Sequence, residues 1–318
     1  MDYSALIENV LNALAAGITI GCIYGLMCVG LGLIFGIMEI VNFAQGEFLM
    51  LGMFCSLYLV SVTGALAFLG PDLGPFVGAL CAGPIVFAGG ALVYQFIIGR
   101  VSGMRTASVT SDSRFGQLIV TLGISLILQN GGLLVFGSTP QTVRTPLASS
   151  AILISGFYGD ATVFLNKARL IACGVAVVVA GALYVVMEYT TLGKAMRAAA
   201  DNPTAATYMG IDVNRTYRLA FGIGSGITAI AGGLMATYLS FDPFIGFAYV
   251  VIMYSGVVLG GMGSIMGAFW GGLLVGIVQQ CSTLIFPPQL QNALIFVVFL
   301  LIMLLRPQGL FGRSAERA

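Results

Sequence analysis

Charged side chains are so sparse that the chain divides into long apolar runs. Val10 to Ile37, Phe48 to Leu69, Phe76 to Gly99, Phe115 to Phe136, Ala168 to Met187 and Leu219 to Phe241 are six of them. Each approaches or exceeds the roughly 20 residues that a helix needs to cross a hydrocarbon core. The first is long enough for one tilted span or for a span followed by a broken half-helix. Gly70-Pro71-Asp72 reads as the turn that stops the second. A further uncharged stretch, Pro243 to Leu305, is too long for two ordinary spans. Breaks at Gly260-Gly261-Met262-Gly263 and at Pro287-Pro288 divide it into three. The pattern predicts an all-α polytopic membrane protein. It would be a bundle of about nine transmembrane helices, range eight to ten, forming one domain over residues 1–318.

Lysine and arginine set the direction of such a bundle. Arg100, Arg105 and Arg114 follow the third run; Lys194, Arg197, Arg215 and Arg218 follow the fifth; Arg306, Arg313 and Arg317 follow the last. The connections 70–75 and 241–246 carry no basic residue. The two classes alternate as successive crossings require, which predicts cytoplasmic basic segments and a cytoplasmic C-terminus. Asp2 and Glu8, with no Lys or Arg ahead of the first run, predict an N-terminus outside and argue against a cleaved secretory signal. The 137–167 connection opposes the rule with Arg144 and Lys167, which its length accommodates.

Glycines recur four apart within the runs: Gly17, Gly21 and Gly25; Gly222 and Gly226; Gly263, Gly267 and Gly271, with Gly272 and Gly276 beside them. Such rows let helix backbones approach closely in lipid, either in ordinary bundle packing or along a moving seam.

The segment 190–218 is polar yet patterned to fold. Thr190 or Thr191 can cap a short helix through Lys194, Met196 and Arg197 to the alanines 198–200. Asp201-Asn202-Pro203 ends it and starts another, with Asn202 as N-cap and Pro203 at the first helical position. Ala205, Ala206, Tyr208 and Met209 follow, and Gly210 suits the C-terminal position. Two short helices with a fixed bend result. Their semi-apolar face can dock a partner, lie in the membrane interface or pack under its own bundle.

Composition agrees and excludes other classes. The 318 residues are 58% apolar and 8% charged, with a mean hydropathy of +1.02; soluble chains carry about 25% charged residues. Thirteen basic against twelve acidic groups leave a net charge of +1, too little for a nucleic-acid surface. The 44 glycines show no collagen-like period. Histidine is absent, so imidazole catalysis and His-containing zinc sites are excluded. The six cysteines sit singly in apolar runs, with no CxxC pair, and read as small hydrophobes. Leu192-Gly193-Lys194 is no phosphate loop, because Glu188 stands where the first glycine should be and Ala195 follows the lysine. Gly261-Met262-Gly263 fails as a dinucleotide fingerprint at Met266. The sequon at Asn214 falls on the predicted cytoplasmic side. No cofactor or metal site is expected in this chain.

Polar residues interrupt the apolar pattern at EIVNFAQGE, between the first two runs. Glu39, Asn42, Gln45 and Glu47 there suit either a headgroup-level turn or a broken helix lining a path. Gln129 and Asn130 are further candidates for the path, and Tyr24, Gln279 and Gln280 are read as interhelical hydrogen-bonding residues.

Four stretches carry a resemblance. GLGLIFGIMEIVNFAQGEFLMLGMF (30–54), the segment 190–236, VVLGGMGSIMGAFWGGLLVG (257–276) and RPQGLFG (306–312) resemble LivH-type permeases of ABC importers for branched-chain amino acids, in the family's order. The resemblance implies an ATP-driven importer in the bacterial inner membrane. In it, this chain would pair with a second related permease, two cytoplasmic ATP-binding subunits carrying ATP and Mg, and an extracytoplasmic solute-binding protein. It also implies that 190–218 is the coupling segment, with Lys194, Arg197, Asp201, Asn202, Pro203, Ala206 and Gly210 as its ATPase-coupling residues. The family commonly has histidine at the position of Gln45 and often a basic residue at that of Glu39. Gln45 keeps hydrogen bonding without titrating.

Two rival readings are an importer of the same type for urea, short amides or another polar nutrient, and a stand-alone ion-coupled transporter or channel. The latter predicts carboxylates at mid-depth, whereas Glu188 and Asp242 sit at span ends. A membrane enzyme lacks any visible nucleophile–base pair.

Overall fold

The computed structural model describes residues 3–64, 66–101, 111–157, 161–287, 290–306 and 308–311. Asp2, Arg105, Pro288 of the expected second break, Pro307 and Gly312 of the tail motif, Arg313 and Arg317 lie outside the described residues. α1 (Tyr3–Met38) is one continuous helix of 36 residues, about 54 Å long at 1.5 Å per residue. It overshoots a hydrocarbon core of about 30 Å, so no half-helix is needed in the first run. The most apolar window of α1 is 89% buried, and α6, α9, α10 and α11 all pack on it. It is the axis of the bundle.

α2 (Gln45–Leu57) continues into a π turn at Tyr58–Val62 and stops well short of Leu69. Gly70-Pro71-Asp72 opens α3 (Gly70–Val93) rather than closing α2. The reason lies in the residue types: proline near the first helical position sacrifices no hydrogen bond, and Asp72 in the first turn complements the helix dipole. A second π turn, Tyr94–Ile98, and the short α4 (Gly99–Val101) extend α3. α5 (Ser111–Phe136) then lies at the periphery, with only 17% of its most apolar window buried.

The 137–167 connection is more ordered than its polarity suggested. A 3-10 turn at Pro146–Ser149 leads into an antiparallel hairpin of β1 (Ala151–Phe157) and β2 (Ala161–Asn166), with Ile154 opposite Val163. Asn12 of α1 meets β2 like a neighbouring strand. Its Oδ1 accepts from Phe164 N at 2.8 Å and its Nδ2 donates to Thr162 O at 3.2 Å. Asn166 then caps α6 (Lys167–Tyr189) by accepting from Arg169 N.

Two short helices, α7 (Thr191–Asp201) and α8 (Pro203–Tyr208), precede α9 (Val213–Met235). α9 ends before Phe241, the expected end of that run. Phe241 instead exchanges backbone hydrogen bonds of 2.8 and 2.9 Å with Gln141. The last uncharged stretch divides into α10 (Ile245–Gly260), α11 (Ile265–Ser282) and α12 (Gln291–Leu305). Gly261 at φ +101° and Gly263 at φ +95° make the first break, a conformation open chiefly to glycine. Gly263 is therefore a turn residue rather than the first member of a helical row.

The result is an all-α, multi-pass membrane bundle with one small hairpin among the described residues. Seven helices among the described residues are long and apolar enough to cross a membrane, fewer than the eight to ten expected; α10 and α12 are shorter apolar helices. Glycine contacts join the central helices. Gly21 and Gly25 of α1 face Gly276 and Gly272 of α11, and on the other side of α11 Gly271 faces Gly256 and Gly260 of α10. A Cβ at Gly276 would overlap the Gly21 backbone, whereas Gly181 on α6 faces open space. Gly276→Val should therefore lower stability by at least ~1–3 kcal/mol, while Gly181→Val leaves it unchanged. Thermal unfolding of both variants in mild detergent checks the contrast, and equal midpoints would refute it.

Candidate functional site

The polar break between α1 and α2 is buried in protein. α1 ends at Met38, Glu39 takes φ +53°, and the chain runs without helix to Gln45. Asn42 Oδ1 accepts from Ala44 N at 3.1 Å, and Asn42 Nδ2 donates to Gln45 Oε1 at 2.9 Å. Gln45 Nε2 donates to Gly224 O at 3.1 Å and to Thr228 Oγ1 at 2.5 Å. Thr228 Oγ1 in turn donates to Gly224 O at 3.0 Å. Both Gly224 and Thr228 are on α9, with Gly224 halfway along its 23 residues. Asn42 and Gln45 are fully buried, so this closed network holds the start of α2 deep inside the bundle.

Glu47 lies one turn on, 1% exposed. Its Oε1 accepts from Ser125 Oγ at 3.2 Å, while Oε2 is buried without a hydrogen-bond partner beside Gly246. Ser125 belongs to a stripe that the sequence reading missed. Gln117, Thr121 and Ser125 recur four apart on the inward side of α5; Thr121 Oγ1 donates to Val41 O at 3.3 Å, and Gln117 is buried with its Nε2 unpartnered. The spacing of four within an apolar run was the available signal. The structure thus brings Asn42, Gln45 and Glu47 together with Thr121, Ser125 and Thr228. Of the other candidates, Glu39 is exposed, Gln129 is half-buried, and Asn130 is exposed with its amide donating to Leu126 O of its own helix at 2.8 Å.

A second polar element lies where α9 begins. Thr190 caps α7 by accepting from Gly193 N at 3.3 Å, Asn202 caps α8 by accepting from Ala205 N at 2.9 Å, and Gly210 ends α8 at φ +83°. Pro203 stands at the first position of α8. α7 lays Gly193, Met196 and Ala199 against the bundle, and Tyr217 of α9 donates its hydroxyl to Ala199 O at 3.2 Å. A Cβ at Gly193 would overlap the Met187 carbonyl at the end of α6. Arg197 turns back onto α6: its guanidinium donates to Glu188 Oε2 at 3.1 Å, to Glu188 O at 3.2 Å and to Met187 O. Lys194, Asp201, Asn202 and Pro203 are exposed, and Ala206 is buried. Tyr208 and Met209 are 86% and 83% exposed, an apolar tip that nothing in this chain covers among the described residues.

The buried polar break and the capped elbow are thus two polar elements on one bundle, both anchored to α9. The family model for "Branched-chain amino acid transport system / permease component" matches residues 13–303. The chain belongs to this family. The chain is 31% identical to the high-affinity branched-chain amino acid transport permease LivH of Escherichia coli K12, over 299 residues that cover 93% of this chain and 94% of that protein. LivH of Salmonella typhimurium is 30% identical over the same shares. BraD of Pseudomonas aeruginosa, a permease of the same description, is 29% identical over 96% of this chain and 97% of its own length. No solved structure matches the chain. The chain is a transport permease component and not an enzyme.

For this permease, Gln45→Leu keeps the volume but strands the Asn42 amide, whose acceptor is Gln45 Oε1, while Gly224 O keeps the Thr228 hydroxyl. A buried group left without its partner costs about 1–3 kcal/mol, so the variant should unfold at a lower temperature in detergent. An unchanged midpoint would mean that the network does not hold the break. Asn202→Ala should cost about 1 kcal/mol through its lost cap, and should speed proteolysis within 201–210 while leaving the rest of the chain protected.

Proposed function

We propose that this permease is one half of the membrane path of an ATP-driven importer for leucine, isoleucine, valine and related hydrophobic amino acids. It acts in the bacterial inner membrane beside a second related permease. Two cytoplasmic ATP-binding subunits supply ATP and Mg chemistry, and an extracytoplasmic solute-binding protein delivers the solute. The chain crosses the membrane nine times, with α10 and α12 as the shorter crossings, its N-terminus outside and its C-terminus in the cytoplasm. It forms one domain over residues 1–318, with 190–218 as its coupling segment.

The observation that carries this reading is the elbow of α7 and α8. α7 is tied to the bundle through Met196, Ala199 and Tyr217, while Tyr208 and Met209 at the end of α8 face outward and Lys194 of α7 is exposed. An apolar tip on a capped, rigid bend suits a groove in a soluble subunit, because docking buries the tip without first ordering it. Lys194, Asp201, Asn202, Pro203, Ala206 and Gly210 shape that contact, and Arg197 fixes the elbow to α6. Closure of the ATP-binding subunits then moves α7 and, through it, α9.

Transport follows by alternating access. Glu39, Asn42, Gln45, Glu47, Gln129 and Asn130 are the candidates for the path or its gates. A zwitterion entering the bundle loses water from both of its charges, and the break between α1 and α2 supplies dipoles and a carboxylate that a regular apolar helix lacks.

The test is affinity capture of this chain with its membrane and cytosolic partners, followed by transport assays with leucine, isoleucine, valine, urea and short amides. The expected result is capture of an ATPase and a second permease, with ATP-dependent uptake of the branched-chain amino acids. Lys194→Glu combined with Tyr208→Ala should reduce ATPase capture at least tenfold. These exposed sites should change fold stability by no more than about 0.5 kcal/mol. A chain that purifies alone and moves solute without ATP overturns the proposal.

A further inference from the structure

The end of the bundle opposite the elbow holds an open-mouthed cavity of about 620 Å³. It lies between the 142–149 segment and the turn that follows α9, with Thr142, Arg144, Ser149 and Tyr238 among its polar lining and Pro71 and Leu239 among its apolar walls. Among the described residues no acidic side chain lines it. Arg144 is exposed, and among the described residues no carboxylate lies within ion-pairing distance of it. A volume in this range suits a small solute.

A second guanidinium lies against one lining residue. Arg169 sits over the Tyr238 ring, 5.2 Å from Cζ to the centroid. Arg169 Nε and the Tyr238 hydroxyl are both buried, and neither has a hydrogen-bond partner. Two neighbouring buried donors without acceptors are rare in a folded protein. Arg169 also occupies the first turn of α6 together with Lys167, the end of a helix that repels cations and attracts anions. Charge, dipole and unmet donors all lack the same thing, an oxyanion.

We propose that this cavity is a vestibule that binds the carboxylate group of an aliphatic amino acid on its way into the bundle. Arg144 takes the carboxylate at the mouth through paired N–H donors, the geometry for which guanidinium is suited. The hydroxyls of Thr142 and Ser149 accept from the ammonium group, and Pro71 and Leu239 cover the aliphatic side chain. Arg169, held on Tyr238, is the second positive station. Beyond it Tyr249 and Tyr24 meet edge to face at 5.9 Å, and Tyr24 donates to Gln279 Oε1 at 2.8 Å. The inference rests on the importer reading for the identity of the solute, and on the cavity alone for the carboxylate.

The experiment uses the assembled importer in lipid nanodiscs, without its solute-binding protein, and measures equilibrium binding of radiolabelled leucine. Saturable binding is expected, with competition by 4-methylpentanoate, which keeps the carboxylate, and none by leucinol, which lacks it. Arg144→Gln should weaken binding at least tenfold, and Arg144→Lys should restore part of it. Wild-type binding by Arg144→Gln, or competition by leucinol equal to that by leucine, overturns the proposal. So does loss of solute-binding-protein capture in Arg144→Gln with leucine binding unaltered, which would make this face a protein-docking surface. If leucine is transported yet neither ligand binds, the vestibule falls and the importer reading stands. If no branched-chain amino acid is transported but 4-methylpentanoate binds through Arg144, the carboxylate site stands and the solute assignment falls.

Discussion

The hydrogen-bond network of Asn42, Gln45 and Thr228 is the constraint on which the rest of the bundle depends. Deep within a membrane protein, backbone outside a helix survives only where side chains or neighbouring backbone satisfy it. Here the chain leaves α1 at Met38 and resumes helix at Gln45 against the middle of α9. One glutamine side chain uses both ends of its amide to hold this arrangement. It accepts from Asn42 and donates to Gly224 and Thr228, so no group in that network is left open.

Close glycine packing makes the network possible. Gly224 on α9 faces Gly30 on α1, and Gly52 and Gly232 bring α2 and α9 together. A Cβ at any of these positions would overlap a neighbouring element, so side-chain size and hydrogen bonding are parts of one design. α9 also joins the two polar elements. Tyr217 holds Ala199 of α7, and Thr228 holds Gln45. The two anchors are about 16 Å apart along the helix at 1.5 Å per residue. A displacement of α7 therefore has a rigid route to the start of α2, which is the mechanical requirement of the proposed coupling.

The elbow was largely legible in the sequence because its determinants are local. Thr190, Asn202, Pro203 and Gly210 each act within one turn of their own position, through a cap, a fixed φ or a left-handed conformation. Lys194 and Arg197 looked equivalent there as exposed basic residues. Only packing separates them, since Arg197 is turned onto Glu188 while Lys194 faces outward. The polar stripe of α5 was present in the spacing of Gln117, Thr121 and Ser125, but a serine or threonine in an apolar run has many uses. Its meaning depends on Val41 and Glu47 lying opposite.

By itself the sequence determined that the protein is a bundle of apolar membrane helices, that the last stretch breaks after Gly260, and that its elbow is capped. Those outcomes follow from hydrophobic run length and from residues acting on their immediate neighbours. Tertiary structure alone decided that Asn12 meets β2, that Phe241 pairs with Gln141, and that Gln45 reaches Gly224. It also decided that Arg144, Tyr238 and Arg169 gather at one end. Each of these joins residues far apart in the chain, and no period or propensity encodes which distant surfaces meet.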